Sequence, residues 1–313
     1  MSTPSTDITS SCDASPAVQQ TAWQPGSAPV AVVMISLNEG HNLDEVCANL
    51  KGWAQEVWLV DSYSKDDTVG IALRHGVRVV QRKFRGFGDQ WNFALGKLPI
   101  RAPWVMKLDP DERLTDELKR QIEAAVQQPE VDGLGVTHRL WFMNRPLPVR
   151  KQFVRVWRSG KGRFTQIEVN EHLIVDGHVL QLTGEVEHRD SPSLEHWLHK
   201  QNKYTTQEAI GLARGGMYAV KPRFFGGQVE RRMWLKRMFF RFPFRYQIYF
   251  LQTLLQTGAW RAGRVGFIWS ALRTEVMRLV EYKAIEIKWT GKDPAVLEFG
   301  AGAPDPRVPQ YEH

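Results

Sequence analysis

The sequence predicts an α/β fold, a mainly parallel sheet covered by helices on both faces. Three observations carry this. Short apolar runs alternate with longer helix-like stretches from residue 30 to residue 128, and the links between them are short. Acidic and amide residues gather just beyond the ends of the apolar runs. Strand–helix alternation of this kind implies parallel strands joined by crossover helices, and ligands of such sheets bind beyond the carboxyl ends of the strands.

In order, "VAVVMIS" (30–36) reads as the first strand and 42–51 as a helix. "EVWLVDS" (56–62) is the second strand, followed by a helix over 66–75. "VRVVQRK" (77–83) is the third, with a helix over 88–97, and "PWVMKLD" (103–109) the fourth. "TDELKRQIEAAVQQ" (115–128) is a helix with Thr115 as N-cap and Leu118, Ile122, Ala125 and Val126 facing inward. The rhythm then turns β-like in "GLGVTHRLWFM", "FVRVWR", "EHLIVDG" and "VLQLTG", and from about 194 it turns helical. The expected organisation is a flexible tail over 1–29, a catalytic domain over 30–193, a helical region over 194–293 and a second tail over 294–313.

The chain has 313 residues, with 41 Lys plus Arg against 34 Asp plus Glu, a net charge of +7. Its two cysteines, Cys12 in the leader and Cys47 in a helix, do not suggest a disulfide. No signal peptide is read in 1–29, and the most apolar window, "YQIYFLQTLLQTGAW" (246–260), is too short and too polar for a simple membrane span.

The fourth strand runs into "LDPDER", which places Asp109, Asp111 and Glu112 within four positions. Carboxylates this close repel unless a cation or a substrate group sits between them. Pro110 disfavours a helical Asp109, and an extended Asp111 would put both aspartates on one side. Two hard oxygen ligands suit Mg²⁺ or Mn²⁺ beside a diphosphate. The plain alternative is an acidic turn that opens a helix, with Glu112 near the helix N-terminus.

"VMISLNEGHNL", "EVWLVDSYSKDDTV", "FRGFGDQWNFAL" and "WVMKLDPDERL" resemble, in order and spacing, the family 2 glycosyltransferases of the Rossmann-like GT-A fold. The nearest likeness is to the lipopolysaccharide-core glucosyltransferase group, and it continues through "VNEHLIVDG", "LTGEVEHRD", "WLHKQNKYT" and "GAWRAGRVGFIWSAL", about residues 30 to 290. The resemblance implies that Asp109 and Asp111 hold a divalent ion against a UDP diphosphate, with His188 nearby. It implies nucleotide contacts from Asn38, Glu39, Asp61, Gln90, Asn92 and Asp109. It implies Glu171, in "EVNEHL", as the base that takes the acceptor's proton, although Asn170 stands where the family usually has His and Glu168 is close by. Plain readings compete with each: Asn38 as a helix cap, Asp61 as a turn acid, His188 as a structural histidine. Asp66 and Asp67 read as helix-start residues, Gly86 and Gly88 as hinges, and Lys200 and Lys203 as cations for a phosphate or as a solvated helix face.

Residues 230–245 interleave Arg231, Arg232, Lys236, Arg237, Arg241 and Arg245 with eight large apolar side chains. This composition suits a helix in the headgroup plane of an anionic bilayer. Single-stranded nucleic acid ranks below it, because no nucleic-acid module accompanies the run, and none is expected as a partner. A later helix with Ile268, Leu272, Val276, Leu279 and Val280 on one face is expected to pack on the protein itself.

The combined expectation is an inverting, metal-dependent transferase of a hexose, glucose by resemblance, from a UDP-sugar to a membrane glycolipid or lipopolysaccharide core. Its expected place is the cytoplasmic face of the membrane, peripherally attached. The alternatives are a polyprenyl-phosphate sugar transferase and a non-catalytic protein that binds anionic membranes.

Overall fold

The computed structural model describes residues 22–165, 173–214, 223–227, 230, 231, 234, 238, 242–294 and 301–311. Four strands come first: β1 (Ala28–Ser36), β2 (Ala54–Asp61), β3 (Arg78–Arg82) and β4 (Trp104–Lys107). They alternate with α1 (Gly40–Leu50), α2 (Thr68–Arg74) and α3 (Phe87–Lys97). β1 pairs in parallel with both β2 and β4, and β2 with β3. The period-2 pattern decides which side chain faces which layer. Val30, Val32 and Met34 of β1 join α1, α2 and α4 (Asp116–Ala125) in one core, while Val33 joins Trp91, Phe93 and Ala94 of α3 in the other. Both faces of this parallel part of the sheet are therefore covered, as parallel strands require.

β5 (Glu112–Leu114) follows β4 at once, and β6 (Gly133–Phe142) and β7 (Arg145–Arg158) form a long hairpin. Met143 and Asn144 connect the hairpin at φ 50° and 54°, the two-residue turn whose twist matches that of its strands. β8 (Gly162–Phe164) pairs with β9 (Leu173–Val175) as a separate ribbon. β10 (Val179–His188) runs parallel to β6 and antiparallel to β5. With β11 (Gln310–Tyr311) the sheet has nine strands among the described residues, in the order β11-β3-β2-β1-β4-β7-β6-β10-β5. This is a mixed, mainly parallel sheet with helices on both faces, as the sequence predicts, and it is GT-A-like in architecture.

Among the described residues, α5 (Leu194–Ala213), α6 (Arg245–Gln256) and α7 (Gly263–Thr290) follow, with a short 3-10 turn at Ala259–Ala262. Trp197, Trp269 and Val276 share a core with Phe142 and Leu147, so these helices seat on the β6–β7 hairpin. Val276 and Val280 of α7 are buried as expected; Leu279 is exposed. Among the described residues no helix is long and apolar enough to cross a membrane.

Three local expectations are corrected. Asp111 does not continue the extended chain: Glu112 N donates to Asp109 O at 2.9 Å, closing a tight turn. Pro110 takes its second position, where the ring's fixed φ fits. Glu112 does not sit on a helix but is buried in β5, and α4 starts later, with Thr115 Oγ1 accepting from Leu118 N. The ends of the chain are also partly built into the sheet. Ala28 and Pro29 already belong to β1, and Gln310–Tyr311 pairs in parallel with β3. The segment 295–300 lies outside the described residues.

Candidate active site

The loops after β1 and β2 are laced together by short polar side chains. Asn38 adopts φ 59°, a left-handed conformation that asparagine tolerates. Its N–H donates to Ser64 Oγ (2.7 Å), and its Oδ1 accepts from Lys65 N (2.7 Å). Glu39 N donates to Thr68 Oγ1, and Asp66 accepts from both Gly40 N and Thr68 N. Asp66 thus serves the starts of α1 and α2, consistent with its reading as a helix-start residue.

Asp61 ends β2 beside Ser36 of β1 and is wholly buried. Its oxygens accept from Ser36 Oγ (2.8 Å), Ser64 N (2.9 Å), Ser64 Oγ (2.5 Å) and Gln81 Nε2 (2.8 Å). Four donors fill a carboxylate. Asp61 therefore shapes the Ser62–Ser64 loop, and the nucleotide contact implied by the resemblance requires these bonds to rearrange. Gln90 is likewise internal, accepting from Arg82 Nη1 and donating to Ser62 Oγ. Asn92 exchanges two hydrogen bonds with the backbone of Phe164 and so ties α3 to β8. Of the expected nucleotide contacts, Asn38 and Glu39 line a cavity.

The turn after β4 divides its carboxylates between two networks. In the first, Glu112, 1% exposed, accepts from Asp109 N (2.9 Å), from Arg155 Nη2 (2.8 Å) and from His138 Nε2. Arg155 also reaches Asp109 Oδ2 at 3.5 Å. Burial works against a charged Glu112, but Arg155 and His138 outweigh it and hold the carboxyl below its ordinary range. Burial and the neighbouring Glu112 push Asp109 the other way, against the pull of Arg155.

In the second network, Asp111 Oδ2 lies 3.3 Å from His188 Nε2 and 3.6 Å from Lys200 Nζ. Asp190 Oδ1 lies 2.8 Å from the same ammonium and 3.9 Å from the same imidazole. Asp111 is held low, since His188 and Lys200 overcome its burial, and His188 is raised to about 9 by Asp111 against its own burial. The His138 ring stands 4.8 Å from the His188 ring and so joins the two networks.

Asp111, His188 and Asp190 each offer one ligand atom, and these atoms lie within 4.8 Å of one another. Ligands about 2.1 Å from one ion span at most about 4.2 Å, so small side-chain rotations bring the three onto a single cation. Two carboxylates and an imidazole suit Mn²⁺ or Mg²⁺. Of the expected metal ligands, Asp111 and His188 belong to this set, and Asp109 stands next to it, facing Arg155.

Asp190 was missed from sequence because its motif, "EHRDSPS", reads as a loop. His138 and Arg155 were missed because only strand pairing brings β6 and β7 beside the turn. The adjoining cavity, about 220 Å³, is lined by Asn38, Glu39, His41, His196, Lys203 and Tyr204 among others. Glu39 is pushed up to about 7, first by burial and then by Asp111. Glu171, the expected base, lies outside the described residues, as does Glu168.

Residues 31–181 match the model of glycosyl transferase family 2. The chain is 26% identical over 227 residues to an uncharacterised glycosyltransferase of Rickettsia typhi, covering 67% of this chain and 76% of that one. It is also 26% identical over 203 residues to an uncharacterised glycosyltransferase of Rickettsia prowazekii, covering 60% and 69%. Among solved structures it is similar to a mannosyltransferase of Pyrobaculum calidifontis in complex with GDP-Man and Mn²⁺, with 14% identity, a TM-score of 0.48, and 87% and 92% of the two chains covered. The protein is a glycosyltransferase.

Proposed function

We propose that this glycosyltransferase moves a hexose, glucose by the sequence resemblance, from a UDP-sugar to a glycolipid or lipopolysaccharide core acceptor, with inversion and with a divalent cation. The observation that carries the reading is the Asp111–His188–Asp190 set, standing beside Asn38 and Glu39 where β1 and β4 end. A cation there would be held by these three side chains, with Asp109 adjacent, and would offset the charge that gathers on the leaving diphosphate.

The acceptor hydroxyl attacks the anomeric carbon, the bond from that carbon to the diphosphate oxygen breaks, and UDP departs. The hydroxyl proton passes to a carboxylate, for which the resemblance supplies Glu171. Lys200 and Lys203, on the face of α5 that lines the cavity, supply positive charge toward the phosphates.

A membrane-borne acceptor is supported by α6. Phe244, Ile248, Leu251 and Leu255 recur at helical spacing along its outer side and are all exposed, while Phe250 packs on Phe267 of α7 at 5.2 Å between ring centres. An apolar stripe directly after the basic run of 230–245 fits the headgroup region of an anionic leaflet. Much of that run lies outside the described residues. The cytoplasmic leaflet is the corresponding location.

Titration calorimetry with UDP and with GDP, each with and without Mn²⁺, tests the reading. UDP binding that needs the cation and is abolished by Asp111→Ala is the expected result. Cation-independent binding, or a preference for GDP, counts against it. A panel of UDP-sugars with extracted lipid then identifies the donor and the acceptor.

A further inference from the structure

Lys200 stands on the carboxylates that a cation needs. Its ammonium lies 2.8 Å from Asp190 Oδ1, 3.6 Å from Asp111 Oδ2 and 3.3 Å from the Asp190 carbonyl oxygen. Its side chain is only 26% exposed. The rest of the local charge comes from His188, which faces the same two carboxylates, and from Glu39, close enough to feel both Asp111 and Lys200. A divalent ion bound by Asp111 and Asp190 would put two positive charges within a few ångströms of this ammonium, in partly dry surroundings where their repulsion is strong.

The same lysine lines the cavity that also contains His196, Lys203 and Tyr204 from α5, and Asn38 and His41 from the first loop. At about 220 Å³ the cavity is smaller than the roughly 300–1,000 Å³ of a whole-ligand pocket. Beside the acids Glu39 and Asp190 its lining carries Lys200, Lys203 and three histidines, which suits the phosphate part of a ligand. One flexible stem can therefore serve either the carboxylates or an anion in the cavity.

From this geometry we infer that Lys200 is an exchangeable counter-ion: it neutralises the Asp111–Asp190 pair, and it passes to the donor's phosphates when a divalent cation takes the carboxylates. The inference rests on the metal-dependent reading above. It makes cation and nucleotide bind with positive and reciprocal coupling, because each removes the obstacle to the other. A lysine acting only as a phosphate clamp would give no such effect on the cation alone.

The test measures Mn²⁺ binding by calorimetry and by the loss of the free-ion electron paramagnetic resonance signal, with and without UDP. Wild type is compared with Lys200→Gln and Lys200→Met. In wild type, UDP is expected to tighten Mn²⁺ binding within the roughly 5–150-fold range of such couplings. In both variants Mn²⁺ alone is expected to bind on the order of tenfold tighter, with the gain from UDP reduced to less than about threefold.

Unchanged or weaker binding of Mn²⁺ alone in the variants overturns the inference, and so does undiminished coupling. If wild-type protein binds UDP without any need for Mn²⁺, the metal-dependent reading itself fails. If wild type shows the coupling and the variants keep it, only the role of Lys200 fails. A variant that is unfolded in chelator and restored by Mn²⁺ supports the inference, and one that Mn²⁺ does not restore overturns it.

Discussion

Glu112→Gln isolates what the buried network behind the turn contributes. Glu112 is 1% exposed, the Arg155 side chain is 9% exposed, and they meet at 2.8 Å. At an effective dielectric of about 20, charges at that distance attract by about 6 kcal/mol before desolvation is counted. Most of that attraction offsets the cost of burying the two ions, so the pair as a whole contributes little net. Removing one partner is different, because the desolvated charge of the other is left behind, at a cost of about 3–5 kcal/mol. Among the described residues Arg155 would keep Asp109 at 3.5 Å as its ion-pair partner, and its Nε has no hydrogen-bond partner there.

Glutamine preserves the shape and an acceptor for Asp109 N, so the loss reports charge rather than volume. For a chain of this size the loss should lower the melting temperature by about 5–8 °C. Urea unfolding should show a lower midpoint at unchanged slope. The double variant Glu112→Gln/Arg155→Met should recover most of the difference, because it removes both ions together. A loss under about 1 kcal/mol for the single variant would refute the reasoning, since that is the scale of a solvated pair.

Four further outcomes are expected. Asp190→Asn should weaken Mn²⁺-dependent UDP binding at least about 100-fold, beyond the 10–100-fold typical of outer-shell changes; if only Asp109→Asn does so, calorimetry will have placed the cation between Asp109 and Asp111 instead. Glu39, raised from 4.5 to about 7, makes the folded state the stronger proton binder between those values, so its contribution falls as pH rises through that window. Glu39→Gln should accordingly stabilise the protein in chelator by up to about 3 kcal/mol at pH 8 and hardly at all at pH 4, and a pH-independent difference in urea unfolding would contradict this. Gly184→Ala should cost about 1–3 kcal/mol, read from the urea midpoint, because its Cβ would meet Leu118 Cα of α4 at 2.6 Å and force β10 from that helix. Leu251→Glu combined with Leu255→Glu should reduce sedimentation with phosphatidylglycerol vesicles while leaving the melting temperature within a few degrees; unchanged sedimentation would remove α6 from the membrane reading.

The order of elements was legible along the chain because each crossover unit carries its own signal. Val30 to Ser36 and Glu56 to Asp61 read as strands from local apolar runs, and Thr115 announced α4 by its own hydroxyl. Asn38, Glu39, Asp109 and Asp111 were recognisable for the same reason: they sit at strand ends that periodicity alone marks. Which of these acids stands with which partner was decided only in three dimensions. Asp190 and His188 come from the far end of β10, 79 and 77 positions beyond Asp111, and meet it because β10 pairs antiparallel to β5. Arg155 and His138 reach Glu112 through the β6–β7 hairpin, and Lys200 reaches Asp111 from α5. Local periodicity is written in neighbouring residues, whereas electrostatic pairing depends on how distant strands come into register, and that register is settled by burial across the whole sheet.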